Sequence, residues 1–398
     1  MSKRLLTNEQ IEEFIKEGVL VIPNVFSSEE IEATQKGLYE TLKTFGVDIE
    51  DLAGTAHNLD RLSTTNGAGG IIDIFYSKWR LDVATSPKVY GIMSELWEHT
   101  YAKDGRDRQV NEAETESKEE NKQAHIELKL YRHKHGPFNP KHGTLYMNRQ
   151  TIQKQKTQTQ SQSQSQSQSQ SQKQKQKQKQ RLLQRGLAPH LDCCPKDMYS
   201  DKSHRWRPIQ MFVALTDNHK ENTGGFECVK GFHRKFENYF TTKSIQSQVD
   251  GTNDTICVGD FTRLLPKEDK EILQSFQHIP YDKGSVVCFD WRIPHANSQK
   301  NQNHTVRQVI YTGFLPDVPL NRTYRALQLQ HFRKKISPPD FWGNENYSQH
   351  KRSDNALTNI FRTSNGPNYH FTELGEKLMG ITRGKMNMLQ LPVLDTVN

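Results

Sequence analysis

Apolar residues in the first hundred positions follow two rhythms. Ile11, Phe14 and Ile15 recur at helical spacing, and Thr7 stands three residues ahead of Gln10, the spacing at which two side chains cap each other's backbone N–H groups. Ser27 and Glu30 repeat that signature, so a helix is predicted after each. Between them GVLVIPNVF (18–26) reads as a short buried strand ended by Pro23. SPKVYGIMSELWEHTYA (86–102) puts Val89, Ile92, Met93, Leu96 and Trp97 on one helical face, which reads as core.

Beyond residue 206 the rhythm shortens. RPIQMFVALTD (207–217), GGFECVKGFH (224–233), GSVVCFDWRIPHA (284–296) and TVRQVIYTGFLP (305–316) are strand-like and separated by turn residues. Short strands with few helices between them predict two sheets closed around an interior. FTELGEKLMG (371–380) reads as a last amphipathic helix.

Two stretches fit neither rhythm. Residues 153–180 alternate glutamine with serine, threonine or lysine and contain no apolar side chain, so they are expected to be a disordered surface loop inserted between two strands. NEAETESKEENK (111–122) reads as solvated, and NGAGG (66–70) as a loop, because it lacks the lysine and flanking elements of a phosphate loop. The expected organisation is an N-terminal helical and strand part at 1–110, the start of the β core at 111–152, the insert at 153–181, the rest of the core at 182–335, and a C-terminal extension at 336–398.

Charge changes this picture little. The net charge of +8 includes six lysines in the insert, and removing them leaves 8 − 6 = +2. No nucleic-acid recognition motif accompanies the charge, so no specific nucleic-acid partner is expected. The five cysteines are odd in number and lack C-x-x-C spacing, which argues against a disulfide framework or zinc ribbon. Adjacent Cys193 and Cys194 are expected to be ordinary thiols. The polar start and the lack of any run of membrane-spanning length predict a soluble, cytoplasmic protein; oligomeric state is left open.

Candidate chemistry begins where the insert ends, at LAPHLDCCP (187–195). His190-x-Asp192 alone is a weak signal, since His125-Ile-Glu127 has the same form. His295 follows a predicted strand 103 residues beyond Asp192, and Arg307 lies in the next strand. Two imidazoles and one carboxylate on one face of an iron ion leave three positions open, as in non-haem Fe(II) oxygenases. A guanidinium inside a barrel suits the far carboxylate of 2-oxoglutarate; pairing with a structural aspartate and facing solvent are the other readings of Arg307. His233 in GFH is expected to be structural or at the site rim, and Asp290 to cap the turn before His295. His133, His135 and His142 lie in a Gly/Pro-rich loop and are not expected to form a second metal site.

The order of these motifs resembles the phytanoyl-CoA dioxygenase family of Fe(II)/2-oxoglutarate oxygenases. TNEQIEEFIKEGVLVIPNVFSSEEIEA is similar to the family's opening helix–strand–helix, PHLDCCP to its His-x-Asp, GSVVCFDWRIPHANSQ to its distal histidine and VRQVIYTGF to its arginine strand. The resemblance spans roughly residues 7–316, interrupted by the insert. It implies a mainly β fold with flanking helices, a double-stranded β-helix (jelly-roll). His190, Asp192 and His295 would bind Fe(II), Arg307 would hold 2-oxoglutarate, and Phe212 with Gln210 would line the pocket beside it. It further implies O2-dependent hydroxylation of a small-molecule substrate with release of succinate and CO2. Halogenating relatives lack the carboxylate ligand, so Asp192 favours hydroxylation. A protein or nucleotide hydroxylase, or a non-catalytic binding protein of the same fold, are the alternatives. The family's name is not read as a substrate.

Overall fold

A computed structural model describes residues 4–62, 70–101, 139–140, 145–148, 188–195, 207–241, 246–247, 255–258, 261–298, 306–316, 319–334 and 369–381. The glutamine-rich insert, the charged stretch 111–122, the three-histidine loop and all of NGAGG except Gly70 lie outside them. The helices are α1 (Asn8–Glu17), α2 (Ser28–Thr44), α3 (Leu52–Thr55), α4 (Lys78–Ala84), α5 (Pro87–Thr100), α6 (Phe236–Thr241), α7 (Lys270–Gln274), α8 (Pro319–Lys334) and α9 (Glu373–Met379). Among the described residues, no helix is long and apolar enough to cross a membrane.

The strands are β1 (Val19–Ile22), β2 (Ile71–Ile72), β3 (Asn139–Pro140), β4 (Leu145–Asn148), β5 (His190–Leu191), β6 (Ile209–Ala214), β7 (Phe226–Cys228), β8 (Gln246–Ser247), β9 (Thr255–Val258), β10 (Phe261–Arg263), β11 (Gln277–His278), β12 (Val286–Asp290), β13 (His295–Asn297), β14 (Arg307–Thr312) and β15 (Phe314–Leu315). One sheet has the order β1-β12-β6-β14-β4-β2, a second the order β11-β7-β13-β5-β10-β9-β8, and β15 pairs with β3. Every pairing is antiparallel except β8 with β9. This is the mainly β, jelly-roll architecture with flanking helices that the resemblance implied.

Why the long strands read as unbroken apolar runs follows from their two faces. Along β12, Val286 and Cys288 join a core shared with the helices, whereas Val287 and Phe289 point the other way into a second cluster. Likewise β6 sends Ile209, Met211 and Val213 toward the helices and Phe212 and Ala214 inward. A strand covered on both faces has no solvent side on which to place polar residues. The inner cluster draws Phe226 and Cys228 from the second sheet, so both sheets face one interior. That alternation also assigns Gln210 and Arg307 to the interior, because they share faces with Phe212 and Val309.

Both predicted capping boxes form: Thr7 accepts from Gln10 N while the Gln10 side chain accepts from Thr7 N, and Ser27 and Glu30 do the same. Gly18 ends α1 at φ 67°, and a Cβ there would lie 2.4 Å from both His233 Nδ1 and Ile293 Cδ1. Only glycine meets both the left-handed backbone and that crowding. The turn it makes brings β1 alongside β12, where Asp290 N donates to Gly18 O.

One sequence expectation needs correction. Cys193 is a buried thiol, but Cys194 is disulfide-bonded, so the adjacent pair are not both ordinary thiols. Within the span 182–335 expected as core, residues 319–334 form helix α8, whose sequence PLNRTYRALQLQHFRK carries too few apolar residues to show a clear face.

Candidate metal centre

Two imidazoles from distant parts of the chain are neighbours because β5 and β13 pair with His190 directly opposite His295. Their ring centroids are 4.4 Å apart. His190 Nδ1 lies 2.8 Å from Ala188 O, and His295 Nδ1 lies 3.0 Å from Ile293 O. A carbonyl only accepts, so each Nδ1 carries the proton and each Nε2 presents a lone pair. In both cases the orienting carbonyl lies two residues upstream, so the local chain path fixes the ring.

Both lone pairs point at Asp192. Its Oδ1 is 3.5 Å from His190 Nε2, and its Oδ2 is 3.7 Å from His295 Nε2. One ligand atom from each residue lies within 4.8 Å of the others. Burial pushes the Asp192 carboxyl up, but its contacts with His190, His295 and Gln210 outweigh it and hold the group below the ordinary range. Burial, then repulsion from His190, lowers His295 to about 4, so its ring is neutral at neutral pH. Two lone pairs and a carboxylate facing one point need a cation between them. N, N and O donors with mutual spacing of this kind suit a divalent transition metal.

The interior next to the triad carries the other predicted residues. Arg307 is buried, its Nε donates to the Tyr281 hydroxyl, and its guanidinium carbon lies 5.5 Å from the Phe212 ring centre and 5.8 Å from that of Tyr281. Such faces stabilise a cation. Burial raises the Tyr281 phenol, which keeps it neutral. Phe212 is fully buried, edge-on to Phe226, Tyr281 and Tyr311. The Gln210 amide borders Asp192 and helps to hold its carboxyl low. β4 pairs with β14, with Asn148 opposite Arg307.

Three neighbours were missed by sequence reasoning. Arg207 is buried, with Nη2 3.0 Å from Asp192 O and 3.7 Å from Asp192 Oδ2. Phe261 stacks on His190 at 4.9 Å. Tyr281 meets Arg307 as described above. None sits at a telling spacing from the triad; pairing across strands brings them in.

Asp290 does cap the turn before His295, accepting from Arg292 N at 3.0 Å, and it also takes Arg292 Nε and Nη2, each at 2.9 Å, and the Tyr101 hydroxyl. His233 packs away from the triad, with Nε2 donating to Ile15 O at 2.9 Å. A second potential ligand group, Asp217, His219 and Asp282, is fully exposed. There His219 Nε2 pairs with Asp282 at 2.6 Å and Asp217 accepts from Lys283 N, which are ordinary surface contacts.

Residues 14–309 match the family described as phytanoyl-CoA dioxygenase (PhyH). The fold is similar to the crystal structure of GlcNAc Inducible Gene 2, GIG2 (DUF1479), from Candida albicans, at 15% identity and a TM-score of 0.58, covering 97% of this chain and 79% of that one. It is also similar to a hypothetical protein from Escherichia coli, at 13% identity and a TM-score of 0.54, covering 95% and 82%. These likenesses establish the fold alone. No curated protein matches the sequence. Fe(II) and 2-oxoglutarate are the metal and co-substrate of the matched family, and the chain's donor set fits them: a His/Asp/His cluster with oriented Nε2 atoms, and a buried guanidinium in the same interior.

Proposed function

The chain belongs to the phytanoyl-CoA dioxygenase family, and from that premise we propose that it hydroxylates a small-molecule substrate, using Fe(II) and O2 and converting 2-oxoglutarate to succinate and CO2. The observation that carries this reading is the convergence of His190, Asp192 and His295 with both imidazoles already locked in the ligating tautomer. In this reading those three residues hold the iron, which supplies the oxygen chemistry when bound. Arg307 takes the far carboxylate of 2-oxoglutarate, because a planar guanidinium gives it two parallel hydrogen bonds. Tyr281 and Phe212 hold that guanidinium in place from its Nε side and its face. Gln210 steadies Asp192, and the apolar interior keeps bulk water from the reacting centre.

The test is anaerobic protein loaded with Fe(II) and titrated with 2-oxoglutarate while the visible spectrum is recorded, with Asp192→Ala as control. A charge-transfer band that the variant lacks is expected. A folded, iron-loaded wild type without the band would remove 2-oxoglutarate from the assignment.

A further inference from the structure

Resting on that reading, we infer that Arg207 is a positioning residue: it fixes the orientation of the metal-binding carboxylate and draws negative charge from it. Of the three candidate ligands, the two imidazoles are each held by a carbonyl two residues upstream, whereas the Asp192 carboxylate meets its upstream neighbour His190 only at 3.5 Å. Its carboxylate rotates about two single bonds, so something outside its own segment must hold it. Arg207 is placed to do so. Its Nη2 reaches two parts of the same residue, the main-chain oxygen at 3.0 Å and Oδ2 at 3.7 Å.

The side chain is 3% exposed, so its charge is little screened by water. It stands just before β6, where Pro208 O accepts from Trp291 N, which anchors the Arg207 backbone to the turn leading to His295. Asp192 thus pairs with Arg207 at 3.7 Å and borders Gln210, both from the same stretch of chain. A guanidinium beside one carboxylate oxygen makes that carboxylate a weaker donor to a metal. It also resists a swing that would turn both oxygens toward the ion and close a position needed by co-substrate or dioxygen. Outer partners of this kind typically change metal affinity about 10–100-fold when removed.

A purely structural alternative uses the same contact: Arg207 would merely anchor the backbone through Asp192 O. The two roles separate spectroscopically. Wild type, Arg207→Gln and Arg207→Lys are titrated with Co(II) alone, then loaded anaerobically with Fe(II) and titrated with 2-oxoglutarate. Arg207→Gln is expected to bind Co(II) about tenfold more weakly, because the lost orientation of the carboxylate outweighs its gain in basicity. Its charge-transfer band should move to lower energy, because an unrelieved carboxylate makes the iron more electron-rich. Arg207→Lys, which keeps the charge but not the planar nitrogen's position, should fall between. Wild-type Co(II) affinity and band energy in a folded Arg207→Gln overturn the inference and leave the backbone anchor. If Arg207→Gln does not fold, Arg207→Lys decides, with values equal to wild type counting against the inference. A wild type that binds Co(II) but gives no band with 2-oxoglutarate fails the co-substrate assignment instead, and the Co(II) titrations still decide the role of Arg207. A wild type that binds neither removes both.

Discussion

In the six-stranded sheet, β6, β12 and β14 run for five or six residues and bury both faces, whereas the strands of the second sheet that carry the histidines, β5 and β13, run for two and three. The long strands hold Arg307, Phe212 and Gln210 in a ladder that would form around almost any apolar filling. The short strands have little ladder of their own, and specific polar contacts fix the metal-facing side chains. The wall that carries Arg307 and Phe212 is thus secured by packing, and the wall that carries the two histidines by hydrogen bonds and buried charge. Stability and chemistry should therefore respond to different substitutions on the two walls.

The largest effect expected is on the polar wall. Arg292 and Asp290 are both buried and joined by two 2.9 Å contacts in the turn between β12 and β13. Arg292→Met strands a buried carboxylate, and a loss of about 3–5 kcal/mol in urea unfolding is expected. A loss below about 1 kcal/mol would show that this turn is held by packing after all.

Next comes acid. Burial lowers His233 to about 4, against 6.5 for the exposed ring. The unfolded chain then takes up a proton before the folded one, so its contribution is full above pH 6.5 and shrinks as pH falls toward 4, by about 3 kcal/mol. Urea midpoints across that window should fall less steeply in His233→Gln than in wild type. Parallel slopes would contradict the assignment.

Smaller, and confined to function, is Tyr281→Phe. Losing the hydroxyl beside Arg307 should raise the 2-oxoglutarate KM about tenfold, a charged hydrogen bond's worth, while the urea midpoint moves little. An unchanged KM would mean that the aromatic faces alone hold the guanidinium. Smallest is Ile310→Val, on the helix-facing side of β14, at about 1 kcal/mol with 2-oxoglutarate turnover unaffected. A turnover defect there would show that the two walls are mechanically coupled.

The same contrast decides what the sequence made legible. β1, β6, β12 and β14 announce themselves because burial on both faces forces apolar residues into continuous runs. β5 leaves no pattern: two residues cannot display a period, and His190 drew notice only through its chemistry. Both caps were readable because each is complete within four residues. Arg207, Tyr281 and Phe261 were not, since each matters through a partner at no telling spacing that only the fold brings alongside. α8 escaped because a helix with a mostly polar sequence looks like loop.

The orienting carbonyls of Ala188 and Ile293 have one more consequence. Each histidine and its anchor form a three-residue cassette, and the two cassettes need only meet at one cross-strand pair. The glutamine-rich repeat ends at Gln180, ten residues before His190, so a change in its length leaves the residues of both cassettes unaltered.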